Sequence, residues 1–477
     1  MHPPLPDGPP TTRPAGTAPA VTRRGLFLAL VCSTQFVLLV GGTVVTVSLP
    51  AIGAELALSP AGLQWVLTAF MLTFGCLLLL GGRTADVLGR RRVFLAGLVL
   101  FAAGSLLCAL TTTPGLFIAA RAAAGAGAAL ASPAAMSLLT TVFVAPGERS
   151  RALGAWAAVG AAGATLGNVV GGLLTTAGGW RWIFLVNVPI CALAVVGAFL
   201  LVPALPGVRG QRLAIVDGLL GTVAVGMLIL GLTLVQTRGV DPVAIALLAG
   251  TVPVAGLFLL IQARHPDPLL PLSLFRSRTA IAYLFMLVTA GTSIGPYYVS
   301  SLFMQQTLGW TALQAGAAFV PWAVLIAVVA QVVSRVLQRT GPRLVIPPAL
   351  LAVAAGGAVL ATAMRPDATY LGGLLPAFLL LGLGTGAAGV ACTVTAMSGI
   401  PPERHGVGAG ALNSTQAVGS ALAIGIAVLL AGAGGSVPGA APGLDGYRFA
   451  LLTVAGVALA AAALAAATLP PRSPHTR

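Results

Sequence analysis

Fourteen apolar segments, each about 20 residues or longer, constrain the fold of this chain more than any other feature. The chain is 57% hydrophobic, and a water-soluble domain of its size could not bury so much apolar surface. The runs are continuous rather than alternating, which favours membrane-spanning helices over a transmembrane barrel. The segments lie near residues 25–48, 62–81, 93–111, 115–139, 151–176, 182–202, 215–236, 242–262, 280–303, 315–334, 344–363, 369–397, 407–432 and 448–469.

The distribution of arginines predicts the orientation in the membrane. All 25 basic residues are arginine; 20 lie in loops on one side, and one, Arg121, lies inside an apolar segment. Cytoplasmic loops carry the excess of basic residues, so we expect a multi-pass cell-membrane protein with both termini cytoplasmic. Because the net charge of +15 lies in loops, we expect anionic lipid headgroups rather than nucleic acid as its partner. The four remaining arginines, on the other side, are Arg181, Arg238, Arg365 and Arg448.

The cysteines and histidines predict neither a cofactor nor a bound metal. The five cysteines are scattered through the apolar segments, which argues against a disulfide framework. The histidines, His2, His265, His405 and His475, fall in tails and loops and form no cluster. A membrane enzyme or sensor would need a nucleophile, an acid–base pair or metal ligands within the bundle. The sequence therefore favours a transporter over an enzyme.

Two linkers divide the chain. Residues 203–214 and 263–279 are rich in proline, glycine and arginine and bracket two apolar segments. Each flanking portion contains six segments, and a weak repeat relates them, as in secondary transporters with a substrate site between the halves. The predicted organisation is a disordered cytoplasmic tail (1–21), an N-terminal six-helix bundle (22–205), a linker with two inserted helices (206–266), a C-terminal six-helix bundle (267–470) and a cytoplasmic tail (471–477).

A charged loop at residues 82–92 packs five charges into eleven residues of a protein that is only 7% charged. Membrane topology would require its arginines but not Asp86. We therefore favour a latch, in which Asp86 and Arg90 hold helix ends together, over a solvated loop that only fixes topology. Glycines at 82 and 89 would permit the tight turn.

Glycines also line one face of the fifth apolar segment, where they recur every four residues. Such spacing lets a partner backbone approach closely. Tight packing explains the pattern, and we also expect this seam to be a place where one bundle rocks against another. The candidate gating residues are Gly82, Asp86, Gly89, Arg90, Arg91, Gly163, Gly167 and Gly171.

Arg121 is the charged side chain at depth. A central charge costs at least about 2.5–3.5 kcal/mol on insertion scales. Either it snorkels towards the outer surface or it faces a water-filled cavity, and we favour the cavity. A cation without a nearby carboxylate predicts neutral, zwitterionic or acidic substrates over quaternary cations.

The chain resembles the major facilitator superfamily, and within it the fourteen-helix drug:proton antiporters, over nearly everything past residue 22. Residues 82–92 resemble the signature loop G-x-x-x-D-x-x-G-R-R/K, and residues 121–125 resemble the R-x-x-Q-G motif. Residues 163–172 are similar to the antiporter glycine motif, and residues 180–189 to the run W-R-W-I-F-x-I-N-V-P.

The resemblance implies an all-α integral membrane protein with a major facilitator fold. Fourteen transmembrane helices would form two six-helix bundles plus two inserted helices. It also implies a secondary active transporter that exports small, amphipathic drug- or antibiotic-like molecules by alternating access, in exchange for protons. Rocking between two states would let the chain function as a monomer.

The chain departs from that family at four positions. Ala124 stands where the family has Gln, Asn168 where it has Pro, and Thr46 where it has Asn. Gly41 stands where the family has an acid in its first helix. Proton coupling normally uses a desolvated carboxylate, and the acidic residue closest to such a position is Asp217, at the start of a span. An uncoupled facilitator or an importer of a small metabolite therefore stays open as an alternative.

Polar side chains at cavity depth are candidates for the substrate or proton pathway. Each is also explained by a helix–helix hydrogen bond. The strongest candidates for substrate contact are Tyr297 and Tyr298, because we expect Gly295 and Pro296 to break the preceding helix. The full set is Gln35, Thr43, Thr46, Arg121, Asn168, Asp217, Tyr297, Tyr298, Asn413 and Gln416.

Overall fold

The computed structural model describes residues 23–58, 60–202, 215–238, 241–265, 268, 278–398, 400, 405–433 and 443–469. Within these ranges the chain is helical and contains no strand. A helix satisfies its backbone N–H and C=O groups internally, as lipid requires. The predicted tails, 1–21 and 471–477, lie outside the described residues, as do 203–214 and most of the second linker.

Each of the fourteen predicted apolar segments lies on a helix or on two consecutive helices. The first bundle contains α1 (Arg24–Thr43), α2 (Val45–Glu55), α3 (Pro60–Leu88), α4 (Arg90–Leu110), α5 (Pro114–Val142), α6 (Pro146–Gly178), α7 (Trp182–Leu185) and α8 (Asn187–Leu201). Two helices follow, α9 (Ile215–Arg238) and α10 (Pro242–Arg264). The second bundle contains α11 (Arg278–Leu302), α12 (Ala312–Ala318), α13 (Val320–Thr340), α14 (Ile346–Ala363), α15 (Leu375–Ser398), α16 (His405–Ala433) and α17 (Leu444–Thr468).

Two pairs of helices make most of the contact between the two bundles. The first bundle meets the second mainly where α6 packs on α13 and where α3 packs on α16. The helices α9 and α10 pack on each other, and α9 also contacts α3 and α16. The exact predicted domain boundaries stay predictions.

Ten helical segments of the described part are long and apolar enough to cross a membrane. The helices α6, α9, α11 and α16 are not among them, although they contain 33, 24, 25 and 29 residues. A total of fourteen spanning helices therefore stays a prediction.

The expected helix break at Gly295 and Pro296 is wrong. The helix α11 continues through Pro296 to Leu302, and a π-helical turn follows at Phe303–Thr307. A proline removes one backbone N–H, but membrane helices tolerate it where neighbouring groups satisfy the freed carbonyl.

The glycine seam of α6 lies against α1 and the residue that follows it. A Cβ added at Gly163 would lie 3.1 Å from the carbonyl oxygen of Phe36, and one added at Gly171 would lie 2.5 Å from that of Val44. The seam therefore holds α6 to α1 inside the first bundle, and its expected place at a boundary between bundles is wrong. An earlier turn of α6 forms that boundary, where Gly154 meets Ser334 of α13.

This close approach predicts that Gly171→Ala destabilises the protein. A backbone oxygen 2.5 Å from the new Cβ cannot rotate away, and overpacking of this kind typically costs about 1–3 kcal/mol. The matched control is Gly256→Ala in α10, because no atom lies within 4 Å of its added Cβ. Thermal unfolding of the purified variants in detergent measures the effect. A Gly171→Ala protein that melts at the wild-type temperature would contradict the contact.

Candidate functional site

The turn between α3 and α4 is a single residue, Gly89. Its φ of +98° lies in the left-handed region that side-chain-bearing residues rarely adopt. Glycine is therefore required at 89 for α4 to begin directly after α3. Gly82 lies inside α3 rather than in the turn, so its expected role in shaping the turn is wrong. We call the helix ends on this side of the molecule, predicted to be cytoplasmic, the basic face.

Asp86 connects the two bundles at the basic face. Its side chain is buried, and its Oδ2 accepts the backbone N–H of Val407 at 2.9 Å. Val407 lies in the first turn of α16, where backbone N–H groups lack partners within the helix and the helix dipole is positive. Arg90 completes the site, with its Nη2 3.7 Å from Oδ1 of Asp86 and a hydrogen bond to Thr141. The two predicted latch residues are thus in contact, and the carboxylate caps a helix of the opposite bundle.

Arg91 does not take part in this contact between bundles. Its Nη2 donates to the carbonyl oxygen of Phe199 at 3.1 Å, and its guanidinium lies 5.1 Å from the centre of the Phe199 ring. Arg91 therefore attaches α4 to α8 within the first bundle. A gating role for Arg91 stays a prediction.

A second set of hydrogen bonds joins the bundles beside Asp86. Nη2 of Arg149 donates to the carbonyl oxygen of Met397 at 2.6 Å, and burial lowers the pKa of Arg149. Oγ1 of Thr140 in the first bundle and Nδ1 of His405 in the second are hydrogen-bonded at 3.0 Å. No sequence pattern pointed to His405, because its position before an apolar segment suggested a loop.

A polar chain joins the bundles at a deeper level. Oγ of Ser132 donates to Oε1 of Gln35 at 3.0 Å, and Nδ2 of Asn413 donates to Oγ of Ser132 at 3.3 Å. Gln35 and Ser132 belong to the first bundle and Asn413 to the second. Two predicted candidates are therefore connected by a serine that sequence reasoning missed, although Ser132 stands out beside Pro133 in an alanine-rich helix. Gln416, three residues further along α16, is exposed.

Arg121 is enclosed by the first bundle. Its side chain is 2% exposed, its Nε donates to the carbonyl oxygen of Val66 at 3.0 Å, and its Nη1 donates to that of Gly41 at 2.9 Å. The guanidinium also lies 4.6 Å from the centre of the Phe70 ring. Arg121 neither snorkels nor faces an open cavity, so the cavity prediction is wrong for this conformation. The backbone carbonyl of Gly41 is its partner, at the position where the resembled family carries an acid.

Tyr297 belongs to an aromatic cluster of the second bundle. Its ring centre lies 4.3 Å from that of Phe319 and 6.4 Å from that of Trp322. Tyr298 is partly exposed beside it. The proposal that these tyrosines contact substrate remains to be tested.

Asp217 and Thr43 make their described hydrogen bonds away from the contact between bundles. Oδ2 of Asp217 accepts from Nε2 of Gln262 at 3.1 Å, which links α9 to α10. Thr43 lies within 3.5 Å of carbonyl oxygens of its own helix. The side chains of Thr46 and Asn168 lie outside the described part of the structure.

At the opposite face, an ion pair joins helix ends of the first bundle. Glu55, at the end of α2, accepts from Arg181 and, at 2.7 Å, from Nε1 of Trp180. These two hydrogen bonds, that of Arg181 first, lower the pKa of Glu55. Arg181 also donates to the carbonyl oxygen of Ala109 at 3.0 Å. The ion pair between Arg181 and Glu55 lies within one bundle, whereas the contacts at the basic face join the two bundles.

Known proteins are similar to this chain in sequence and in fold. The sequence profile of the Major Facilitator Superfamily matches residues 31–424. The chain is 37% identical over 457 residues to the puromycin resistance protein pur8 of Streptomyces alboniger, covering 93% of this chain and 91% of that protein. It is 36% identical over 434 residues to the cephamycin export protein CmcT of Amycolatopsis lactamdurans, covering 89% and 88%. The crystal structure of the human organic anion transporter MFSD10 has the same fold, with a TM-score of 0.67 at 18% identity and coverage of 93% and 99%.

The contact between Asp86 and α16 predicts that Asp86→Asn weakens closure of the basic face. Asparagine keeps an oxygen acceptor but loses the charge that both Arg90 and the helix N-terminus favour. The matched control is Asp241→Asn, because Asp241 caps its own helix by accepting the N–H of Ala244 at 2.6 Å, and asparagine caps helices equally well.

Spin labels on cysteines introduced at Val144 and Ser398 report the opening. Both positions are exposed, and they follow α5 in the first bundle and end α15 in the second. Double electron–electron resonance measures the distance between the two labels. It should show a larger population at long distance in Asp86→Asn than in wild type or Asp241→Asn. Equal populations in all three proteins would exclude Asp86 as a latch.

Proposed function

The chain belongs to the major facilitator superfamily, and from this we propose that it exports small, amphipathic drug- or antibiotic-like molecules as a secondary active transporter. The observation that carries the proposal is its likeness, over nine-tenths of its length, to proteins named for puromycin resistance and cephamycin export. We place it in the cell membrane as a monomer, with both termini and the basic face cytoplasmic.

Alternating access would use the contacts that cross between the bundles. With the basic face closed, substrate would leave through the opposite face, and reloading from the cytoplasm would require these contacts to break. They include the hydrogen bonds from Val407 to Asp86, from Arg149 to Met397 and from Asn413 to Ser132. A hydrogen bond contributes about 0.5–1.5 kcal/mol net, or about 1.5–3 to a charged group. A ligand can shift an equilibrium of that size.

The driving force that we propose is proton exchange, as the family resemblance implies. Gly41 stands where the resembled family has an acid in its first helix, and its carbonyl oxygen accepts from Arg121. An uncoupled facilitator or an importer of a small metabolite has the same fold and is the alternative.

Inverted membrane vesicles separate these functions. An exporter should accumulate substrate from a panel that includes puromycin and a cephamycin, and an imposed inward-acidic gradient should raise the accumulation several-fold. Asp86→Asn should abolish accumulation while its amount in the membrane stays at the wild-type level, and Asp241→Asn should transport normally. Entry that only equilibrates substrate across the membrane and ignores the gradient would establish the facilitator, and wild-type transport by Asp86→Asn would exclude the latch.

The electrostatics of the first bundle predict which compounds are exported. Arg121 is buried and meets backbone carbonyls rather than a carboxylate, so its positive charge is not neutralised by an acid among its described partners. Lipophilic cations would meet an unfavourable field. Expression in an efflux-deficient bacterium should therefore raise resistance to neutral, zwitterionic or acidic compounds at least several-fold more than resistance to ethidium. Strong ethidium resistance would contradict this preference.

A further inference from the structure

His405 is buried at the contact between the two bundles. It is the first residue of α16 and precedes the predicted span 407–432, yet its side chain is only 2% exposed. None of the family motifs discussed above includes it, and its place in the sequence suggested a solvated loop.

The imidazole contacts both bundles. Its Nδ1 lies 3.0 Å from Oγ1 of Thr140 in α5, and its Nε2 lies 3.2 Å from Nη2 of Arg149 in α6. Nε2 also lies 3.1 Å from the carbonyl oxygen of Ile400 in the second bundle. The ring therefore connects the start of α16 to two helices of the first bundle.

A neutral ring fits Thr140 and Arg149, whereas the Ile400 carbonyl favours a proton on Nε2. With its proton on Nδ1, the ring donates to Thr140, whose hydroxyl can donate onward to the carbonyl oxygen of Ser137 at 3.0 Å. Nε2 is then free to accept an N–H of Arg149. An imidazolium has no acceptor nitrogen, so it would leave that N–H without its acceptor and place two cations 3.2 Å apart.

The charges around His405 also favour the neutral ring. Burial, then Arg149 of α6, then Arg90 of α4 lower the pKa of His405 from 6.5 to about 3, and the Ile400 carbonyl opposes them only in part. The carboxylate of Asp86 in α3 lies at the same helix end, where it accepts the N–H of Val407, two residues after His405, and pairs with Arg90. The neighbours from α5 and from the end of α15 are an uncharged hydroxyl and backbone carbonyls. Glu403 and Arg404, adjacent in sequence, lie outside the described residues.

We propose that His405 is a positioning residue of the transport cycle, whose neutral form closes the basic face and whose protonation opens it. The proposal rests on the alternating access of the proposed function. The closed face holds a neutral ring, whereas an open face would expose the ring to water. The open state then binds the proton more tightly, and binding to one state shifts the equilibrium towards it.

The sign of the pH dependence follows from this difference in proton binding. The closed state binds fewer protons than the open state between the two pKa values, so acidification favours the open state. With an exposed histidine at its ordinary pKa, the ratio of closed to open protein should fall about tenfold from about pH 7.5 to about pH 5.5. Acidification at the cytoplasmic side would thereby favour the state that loads substrate.

The spin-label pair at positions 144 and 398 tests the proposal without requiring transport. In wild-type protein reconstituted in lipid nanodiscs, the ratio of closed to open populations should fall about tenfold over that pH range. In His405→Gln, which keeps a donor and an acceptor but does not titrate, the ratio should change less than twofold. A pH-independent wild type, or a His405→Gln protein that keeps the wild-type pH dependence, would overturn the proposal.

Two further variants keep the test decisive. His405→Asn, a second substitution that does not titrate but keeps a donor and an acceptor, should also change the ratio less than twofold, so the test still decides if His405→Gln fails to fold. His265→Gln, at the end of α10, should retain the full dependence, and its loss there would overturn the assignment. If no open population forms at any pH, alternating access itself fails. An open population without pH dependence contradicts the role of His405 alone.

Discussion

Lipid cannot solvate a charge or a backbone polar group, and the structure of this protein follows from that constraint. Helices satisfy the backbone along the described chain. Two buried charges are met by backbone groups of other helices: Asp86 by the N-terminus of α16, and Arg121 by carbonyls of Gly41 and Val66. Each such contact fixes one helix relative to another, so the charged residues determine which helices must stay together and which can separate.

Two kinds of contact result. Within the first bundle, the glycines of α6 lie directly on the backbone of α1, and Glu55 staples helix ends through Arg181. Separating those helices would open a void or strand a charge. Between the bundles, the contacts at the basic face are hydrogen bonds to a helix end, a hydroxyl, an imidazole and carbonyls, all of which water can replace. The first kind therefore resists separation of its helices, whereas we propose that the second kind forms the joint that opens.

The sequence predicted the helices well, because continuous apolar runs have few alternatives in a membrane. It also predicted that Asp86 and Arg90 lie in contact, because membrane topology does not explain an acidic residue in a basic loop. It failed where the answer depends on which face a helix presents. The glycine spacing indicated a close approach but not that α1 is the partner, and Tyr297 turned out to lie among Phe319 and Trp322. Ser132 and His405 contact residues more than 200 positions away, which no local pattern reveals.

The central claim is that the basic face is a joint whose contacts break and reform during transport. Hydrogen–deuterium exchange at the Val407 amide tests it most directly, because Asp86 protects that amide only while the face is closed. In reconstituted protein, a transported compound supplied on the basic side should accelerate exchange at Val407 and leave the Ala244 amide, capped within α10 by Asp241, unchanged. Exchange at Val407 that stays equally slow with and without the compound would contradict the account.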